Sequence, residues 1–294
     1  MALSRRHKLV FFKVSALLSL VRWYNIFFLA LSQYLAVVFI LNPKENWKQT
    51  LSNPNLHYLV FASLFCIAAG YIINNFYDLE KDLINRPNKT VYEKILRQST
   101  TLRLYFLFNT IGAVLALMAS PKVLLFFSAY IFGLWFYSHK LKKITFVGNL
   151  TAALLSITPF FAIFIYYHLE DLLILTYISF ILLIIFIREI IKDLEALKGD
   201  VIVGYPTLPA TFGLKNTKWL VAVFAVLGAL PAAAIFYKTQ FTGISYYLVL
   251  GGLGVFFSLL LLAKAQTQQH FSRINQLYRL LIIGGIVSLV LFAS

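Results

Sequence analysis

Nine mostly apolar stretches, many of them near 20 residues long, divide this chain and leave it few ways to fold: 17–40, 56–75, 102–119, 123–137, 146–167, 172–191, 219–237, 244–263 and 277–292. About 20 apolar residues in a helix cross the roughly 30 Å of hydrocarbon in a bilayer. Backbone groups in lipid must be satisfied internally, which a helix does within one segment. The stretches carry no polar face at a helical period, so a soluble helical bundle is excluded. Composition agrees: 60% of the 294 residues are apolar, and the mean hydropathy is +0.80, outside the range of soluble domains. The expectation is an all-α polytopic membrane protein of about nine transmembrane helices, with residues 1–294 forming a single domain. The stretch 123–137 is the shortest.

The formal charge of +15 invites a nucleic acid or a membrane surface as partner, and its distribution decides for the membrane. Alternate connections carry 22 of the 26 basic residues, leaving Lys44, Lys48, Lys122 and Lys238 to the other side. The positive-inside rule then places the N-terminus in the cytoplasm and Ser294 outside. The basic start resembles a secretory leader, but the following run is too long and contains Arg22 and Asn25, so an uncleaved first span over 17–40 is expected. Cys66 is the only cysteine and the five histidines are scattered, which argues against disulfides, zinc and haem.

Eight of the eleven acids gather in two connections on the basic side. The first group follows span two in the run Asn74-Asn75-Phe76-Tyr77-Asp78-Leu79-Glu80-Lys81-Asp82, with Glu93 further on; the second is Glu189, Asp193, Glu195 and Asp200. On a helix Asp78 and Asp82 share a face, as do Asp193 and Asp200. Carboxylates at a helix C-terminus oppose the dipole, and in hydrocarbon they cost about 2.5–3.5 kcal/mol each. Oxygen ligands on an apolar scaffold suit Mg²⁺ shared with a phosphate group. A merely solvated helix end is the plainer reading of each run taken alone. Arg22 either snorkels or forks a phosphate. Lys140, Lys142 and Lys143, and Arg86 with Lys89, serve either topology or an anion. The aromatic residues are core and interfacial belt, with a subset able to shelter a carbocation.

These residues resemble the UbiA superfamily of intramembrane prenyltransferases along nearly the whole chain. Asn74, Asn75, Asp78 and Asp82, followed by Arg86 and Pro87, are similar to its first motif. Asp193, Ala196, Gly199 and Asp200, continuing into Gly204, Thr207, Leu208 and Pro209, are similar to its second. Arg22 with Asn25, Tyr137-Ser138, Leu141-Lys142 and Gly148-Asn149 resemble further family positions. The run Arg188 to Asp193 is similar to the branch that includes geranylgeranylglyceryl phosphate geranylgeranyltransferases.

The resemblance implies a helical bundle around a central cavity open to the cytoplasmic side and the membrane, in a bacterial or archaeal cell membrane. It implies Mg²⁺ as cofactor and transfer of a prenyl group from an isoprenyl diphosphate donor to a lipophilic, aromatic or glyceryl phosphate acceptor. Asp78, Asp82, Asp193 and Asp200 are then the catalytic carboxylates and, with Asn75, the metal ligands. Arg22, Asn25, Asn74, Arg86, Tyr137, Lys140, Lys142, Asn149 and Arg188 form the substrate-binding set. Asn75 and Ala196 stand where the family has acids, which predicts weaker metal binding. The competing readings are a membrane transporter and a catalytically weakened lipid-binding or accessory homologue.

Overall fold

The computed structural model describes residues 5–41, 46–167, 171–239 and 243–293. Lys44, Glu45, Glu170 and Ser294, which the charge pattern assigns to the far side, and His168 lie outside the described residues. All regular structure in the described residues is helical. The elements are α1 (Arg5–Leu20), α2 (Trp23–Ala36), α3 (Trp47–Leu51), α4 (Pro54–Asn85), α5 (Pro87–Glu93) and α6 (Gln98–Ala119). They continue with α7 (Pro121–His139), α8 (Val147–Tyr167), α9 (Leu172–Val203), α10 (Leu208–Thr239), α11 (Gly243–Lys264) and α12 (Gln268–Ser288). Nine of the described helices are long and apolar enough to cross a membrane; α1, α3 and α5 are not among them.

The first span differs from expectation. The run over 17–40 is broken at Arg22, whose φ of 52° is left-handed and cannot continue a right-handed helix. The spanning segment is therefore Trp23–Leu41, and α1 precedes it as a separate helix.

Two helices outrun the bilayer. Both α4 and α9 have 32 residues, or about 48 Å at 1.5 Å per residue, against roughly 30 Å of hydrocarbon. That difference is about twelve residues of each helix, and Asp78 and Asp82, like Asp193 and Asp200, lie within the last twelve.

The chain divides into two compact units, residues 1–30 with 54–139, and residues 31–53 with 140–294. In the first, α4 packs against α6 and α7 through small residues. A Cβ on Gly112 would stand 2.7 Å from Cys66 Sγ, and one on Gly70 would stand 2.9 Å from Leu134 Cδ1. Close helix approach through glycine is a common device in membranes, where burial of apolar surface gives no net drive. Leu20, Val21, Ala68, Ala69, Ile72, Ile73 and Tyr105 form the core beside it.

In the second unit α9 is the central helix, with Ile184, Ile187, Ile190, Ile191 and Leu194 buried. Two buried polar side chains there bond to backbone carbonyls distant in sequence. Fully buried Gln33 donates Nε2 to the Pro159 carbonyl at 2.9 Å, and the Tyr177 hydroxyl donates to the Gly285 carbonyl at 2.8 Å. Pro159 and Pro231 sit inside α8 and α10; the non-helical backbone of α10 lies at Gly213, with φ 76°. Asp171 caps the start of α9, accepting from the Leu173 amide at 2.7 Å. Gly204, at φ 74°, ends it: the Gly204 and Tyr205 amides both turn back to the Asp200 carbonyl.

Candidate active site

The acidic end of α4 gathers residues from three other elements of its unit. Asn74 Nδ2 donates to Asp78 Oδ2 at 2.9 Å, one helical turn on. That commits the amide nitrogen and leaves Asn74 Oδ1 buried, with no hydrogen-bond partner among the described residues. Asn75 Nδ2 donates to Glu93 Oε2 at 3.2 Å. Asp82 lies within electrostatic reach of Asp78, a like charge, and of Arg86, Arg22 and Lys81, which offset it.

Arg22 reaches this face through the break before α2. Its guanidinium lies 5.0 Å from the Tyr71 ring centroid, a cation over a π face. Asn25 Nδ2 donates to the Tyr71 hydroxyl at 3.0 Å. A left-handed φ at a residue other than glycine costs about 1–2 kcal/mol, and such strain collects at functional sites. Arg86 is exposed at the N-cap of α5. Arg22, Asn25, Asn74, Asn75, Asp78, Asp82 and Arg86 thus all lie on or beside the end of α4 in the first unit.

Three participants escaped sequence reasoning. Tyr71 carried a usable signal, because 71, 75, 78 and 82 follow the four-three-four spacing of one helical stripe. Ser19 carried none, and Glu93 was legible only as an acid of the first group: it is 7% exposed, accepts from Ser19 Oγ at 2.7 Å and pairs with Lys89 at 3.4 Å. Those contacts depend on how α5 docks.

The second unit carries its own oxygen-rich face on α9. Asn149 Nδ2, at the start of α8, donates to Asp193 Oδ2 at 2.7 Å. Asp200 is completely buried. Lys140 and Lys142 lie in the turn before α8, exposed and half-buried respectively. That turn presses on the helix: a Cβ on Gly148 would meet the Lys142 carbonyl at 3.0 Å, so the close approach requires glycine. Arg188 Nη1 lies 3.8 Å from Glu189 Oε1, and Glu189 is also paired with Lys192. Glu195, the nearest acid to Ala196, accepts from Asn275 Nδ2 at 2.6 Å, which ties it to α12. Tyr137 lies half-buried in the last turn of α7, in the first unit.

Among the described residues no three His, Cys, Asp or Glu side chains cluster tightly enough to cage a metal. Mg²⁺ does not need such a cage; it binds through one or two carboxylates and completes its octahedron with water and phosphate oxygens. Asp78 and Asp82 with the Asn74 oxygen in the first unit, and Asp193 and Asp200 in the second, carry oxygen donors of that hard kind.

Nine described helices long and apolar enough to span, two of them carrying carboxylates and amides toward their ends, define an integral multi-pass membrane protein. Residues 31–282 match the UbiA prenyltransferase family. Digeranylgeranylglyceryl phosphate synthase of Thermococcus gammatolerans is 29% identical over 239 residues, which cover 80% of this chain and 85% of that protein. The Pyrococcus horikoshii protein of the same name is 32% identical over 164 residues, covering 55% and 58%. A UbiA homolog from Archaeoglobus fulgidus bound to GPP and Mg²⁺ shares the fold, with a TM-score of 0.67 at 14% identity over 93% of this chain and 99% of that one. The chain belongs to the UbiA prenyltransferase family; it is a multi-pass membrane prenyltransferase.

Proposed function

We propose that the chain transfers a prenyl group from an isoprenyl diphosphate to a glyceryl phosphate that already bears one prenyl chain, releasing diphosphate, with Mg²⁺ as cofactor and chemistry at the cytoplasmic face. The observation that carries this reading is the α4 face, where two asparagines have their nitrogens committed to carboxylates beside Asp78, Asp82 and Arg22. The name that the relatives bear, digeranylgeranylglyceryl phosphate synthase, supports the acceptor; the Mg²⁺ and GPP bound to the Archaeoglobus fulgidus homolog support the donor class and the metal.

Asp78, Asp82 and Asn75 of the first unit, and Asp193 and Asp200 of the second, would be the metal ligands. When bound, Mg²⁺ neutralises the diphosphate and makes it a better leaving group. Arg22, Arg86, Lys140 and Lys142 bind the remaining phosphate oxygens, by fork in the arginines and as point charges in the lysines. Asn25, Asn74 and Asn149 orient the donor, and Tyr137 and Arg188 complete the binding set. The bond from the allylic carbon to the diphosphate oxygen breaks, and the electron pair leaves with diphosphate. The acceptor hydroxyl oxygen attacks that carbon and its proton passes to the departing diphosphate.

Purified protein given a matrix of donors and acceptors should release diphosphate only with Mg²⁺ and form a doubly prenylated glyceryl phosphate. Asp78→Ala should insert and fold but not turn over. Solute flux without diphosphate release would assign a transporter instead. Donor or acceptor binding without turnover in the unmodified chain would assign a lipid-binding accessory protein.

A further inference from the structure

Glu93 belongs to a short helix outside the spans, yet it is 7% exposed and both of its carboxylate oxygens are engaged. Oε1 takes Ser19 Oγ at 2.7 Å and Lys89 Nζ at 3.4 Å; Oε2 takes Asn75 Nδ2 at 3.2 Å. An ionised carboxylate only accepts hydrogen bonds, so the Asn75 amide must present its N–H end to Glu93. Its Oδ1 becomes the end left for a ligand. Asn74 repeats the pattern, with Nδ2 held by Asp78 and Oδ1 unbonded among the described residues.

We propose that Glu93 is a positioning residue: it fixes the Asn75 amide so that its oxygen, and not its nitrogen, is offered to Mg²⁺, and it makes asparagine the fitting residue at position 75. This inference rests on the Mg²⁺ role of the α4 face given above. An aspartate at 75 would set a second carboxylate beside that of Glu93, two like charges at hydrogen-bond distance in a site partly withdrawn from water. The acid that the family motif carries at position 75 and the buried acid at 93 are thus alternatives. Ser19 and Lys89 hold Glu93 in place, which ties the metal face to α1 and to the linker after α4.

Glu93→Gln is the sharpest probe. Ser19 and Lys89 both donate toward Oε1, so the glutamine keeps its oxygen there and turns its NH₂ to Asn75. Two NH₂ groups then face each other, and the Asn75 amide flips. The full chain in lipid nanodiscs should be compared with Glu93→Gln, Asn75→Asp and the double variant. The readouts are Mn²⁺ binding by electron paramagnetic resonance without substrate, the Mg²⁺ concentration for half-maximal turnover, and thermal unfolding.

Glu93→Gln should weaken Mn²⁺ binding and raise the Mg²⁺ requirement by about 10-fold, the usual scale for loss of a ligand's supporting partner, with a much smaller fall in kcat at saturating Mg²⁺. Asn75→Asp alone should also bind Mn²⁺ more weakly, and adding Glu93→Gln to it should restore binding. Unchanged Mn²⁺ affinity and Mg²⁺ requirement in folded Glu93→Gln overturns the proposal while the prenyl-transfer reading stands. Equal Mn²⁺ binding by Asn75→Asp with and without Glu93→Gln overturns it as well. If the unmodified chain shows no Mg²⁺-dependent diphosphate release but the restored Mn²⁺ binding is seen, the positioning role stands and the reaction assignment falls.

Discussion

The two long helices α4 and α9 have the same length and both carry acids on their projecting ends, yet they treat those acids in opposite ways. On α4 the carboxylates stay partly exposed and have cations about them: Arg22 from the break before α2, Lys81 on the same helix, and Arg86 beyond it. On α9 the second carboxylate is walled in, with Asp200 at 0% exposure and Gly199 buried beside it. A wet, charge-balanced acid is tuned by its neighbours and screened by salt. A buried one bears a desolvation cost in the metal-free protein, which a bound cation relieves.

The largest effects should come from the carboxylates themselves. Asp78→Ala should lower turnover at least about 100-fold, as expected when charge stabilisation of the leaving group is removed, with little change in thermal unfolding because the residue is half-exposed. Asp200→Asn should lower turnover comparably but, unlike Asp78→Ala, move the unfolding midpoint, because the residue is completely buried, and it should shrink the stabilisation that Mg²⁺ with donor gives the unmodified chain. If both variants moved stability alike, the contrast between an open and a closed acidic face would be lost.

A smaller effect separates function from strain in the first face. Arg22→Gly removes the guanidinium that lies over Tyr71 and beside Asp82, so donor binding should weaken, seen as a rise in KM. Stability should stay within about 0.5 kcal/mol, because relief of the left-handed backbone, about 1 kcal/mol, is offset by the added freedom of glycine in the unfolded chain. An equal loss of stability and activity would mean that Arg22 only holds α1 to α4.

Spans were legible because their signal is local: length and apolar content alone set the helices α4, α6–α9 and α11 near their observed positions. The acidic stripes were legible for the same reason, since the spacing of Asp78 and Asp82 fixes a face before any packing is known. What was hidden is non-local. The backbone break at Arg22 looks in sequence like a charge inside a single span. Burial of Glu93 follows from the docking of α5 against α1, and burial of Asp200 from which side of α9 its neighbours cover. Glu195 is one acid of the second group in the sequence, and only the tertiary contact reveals that Asn275 engages it.

The smallest prediction concerns how each acidic helix stops. α4 ends against Arg86 and Pro87, where proline disfavours helical backbone in the preceding residue, and Arg86 takes an ordinary negative φ of −143°. α9 instead stops at Gly204, at φ 74°, where a Cβ would meet no other atom within 4 Å. Gly204→Ala therefore meets no steric neighbour, and its cost is the left-handed backbone alone, about 1 kcal/mol, while Gly204→Asn should cost less because asparagine tolerates that region. The carbonyl that both capping amides seek is that of Asp200, so loosening the cap loosens the peptide that presents the buried acid. The Mg²⁺ requirement should rise slightly in Gly204→Ala and less in Gly204→Asn, in step with the unfolding midpoint. Arg86→Ala at the corresponding end of α4 should leave the unfolding midpoint nearly unchanged and weaken donor binding instead, because no left-handed residue is needed there and the lost cation faces Asp82.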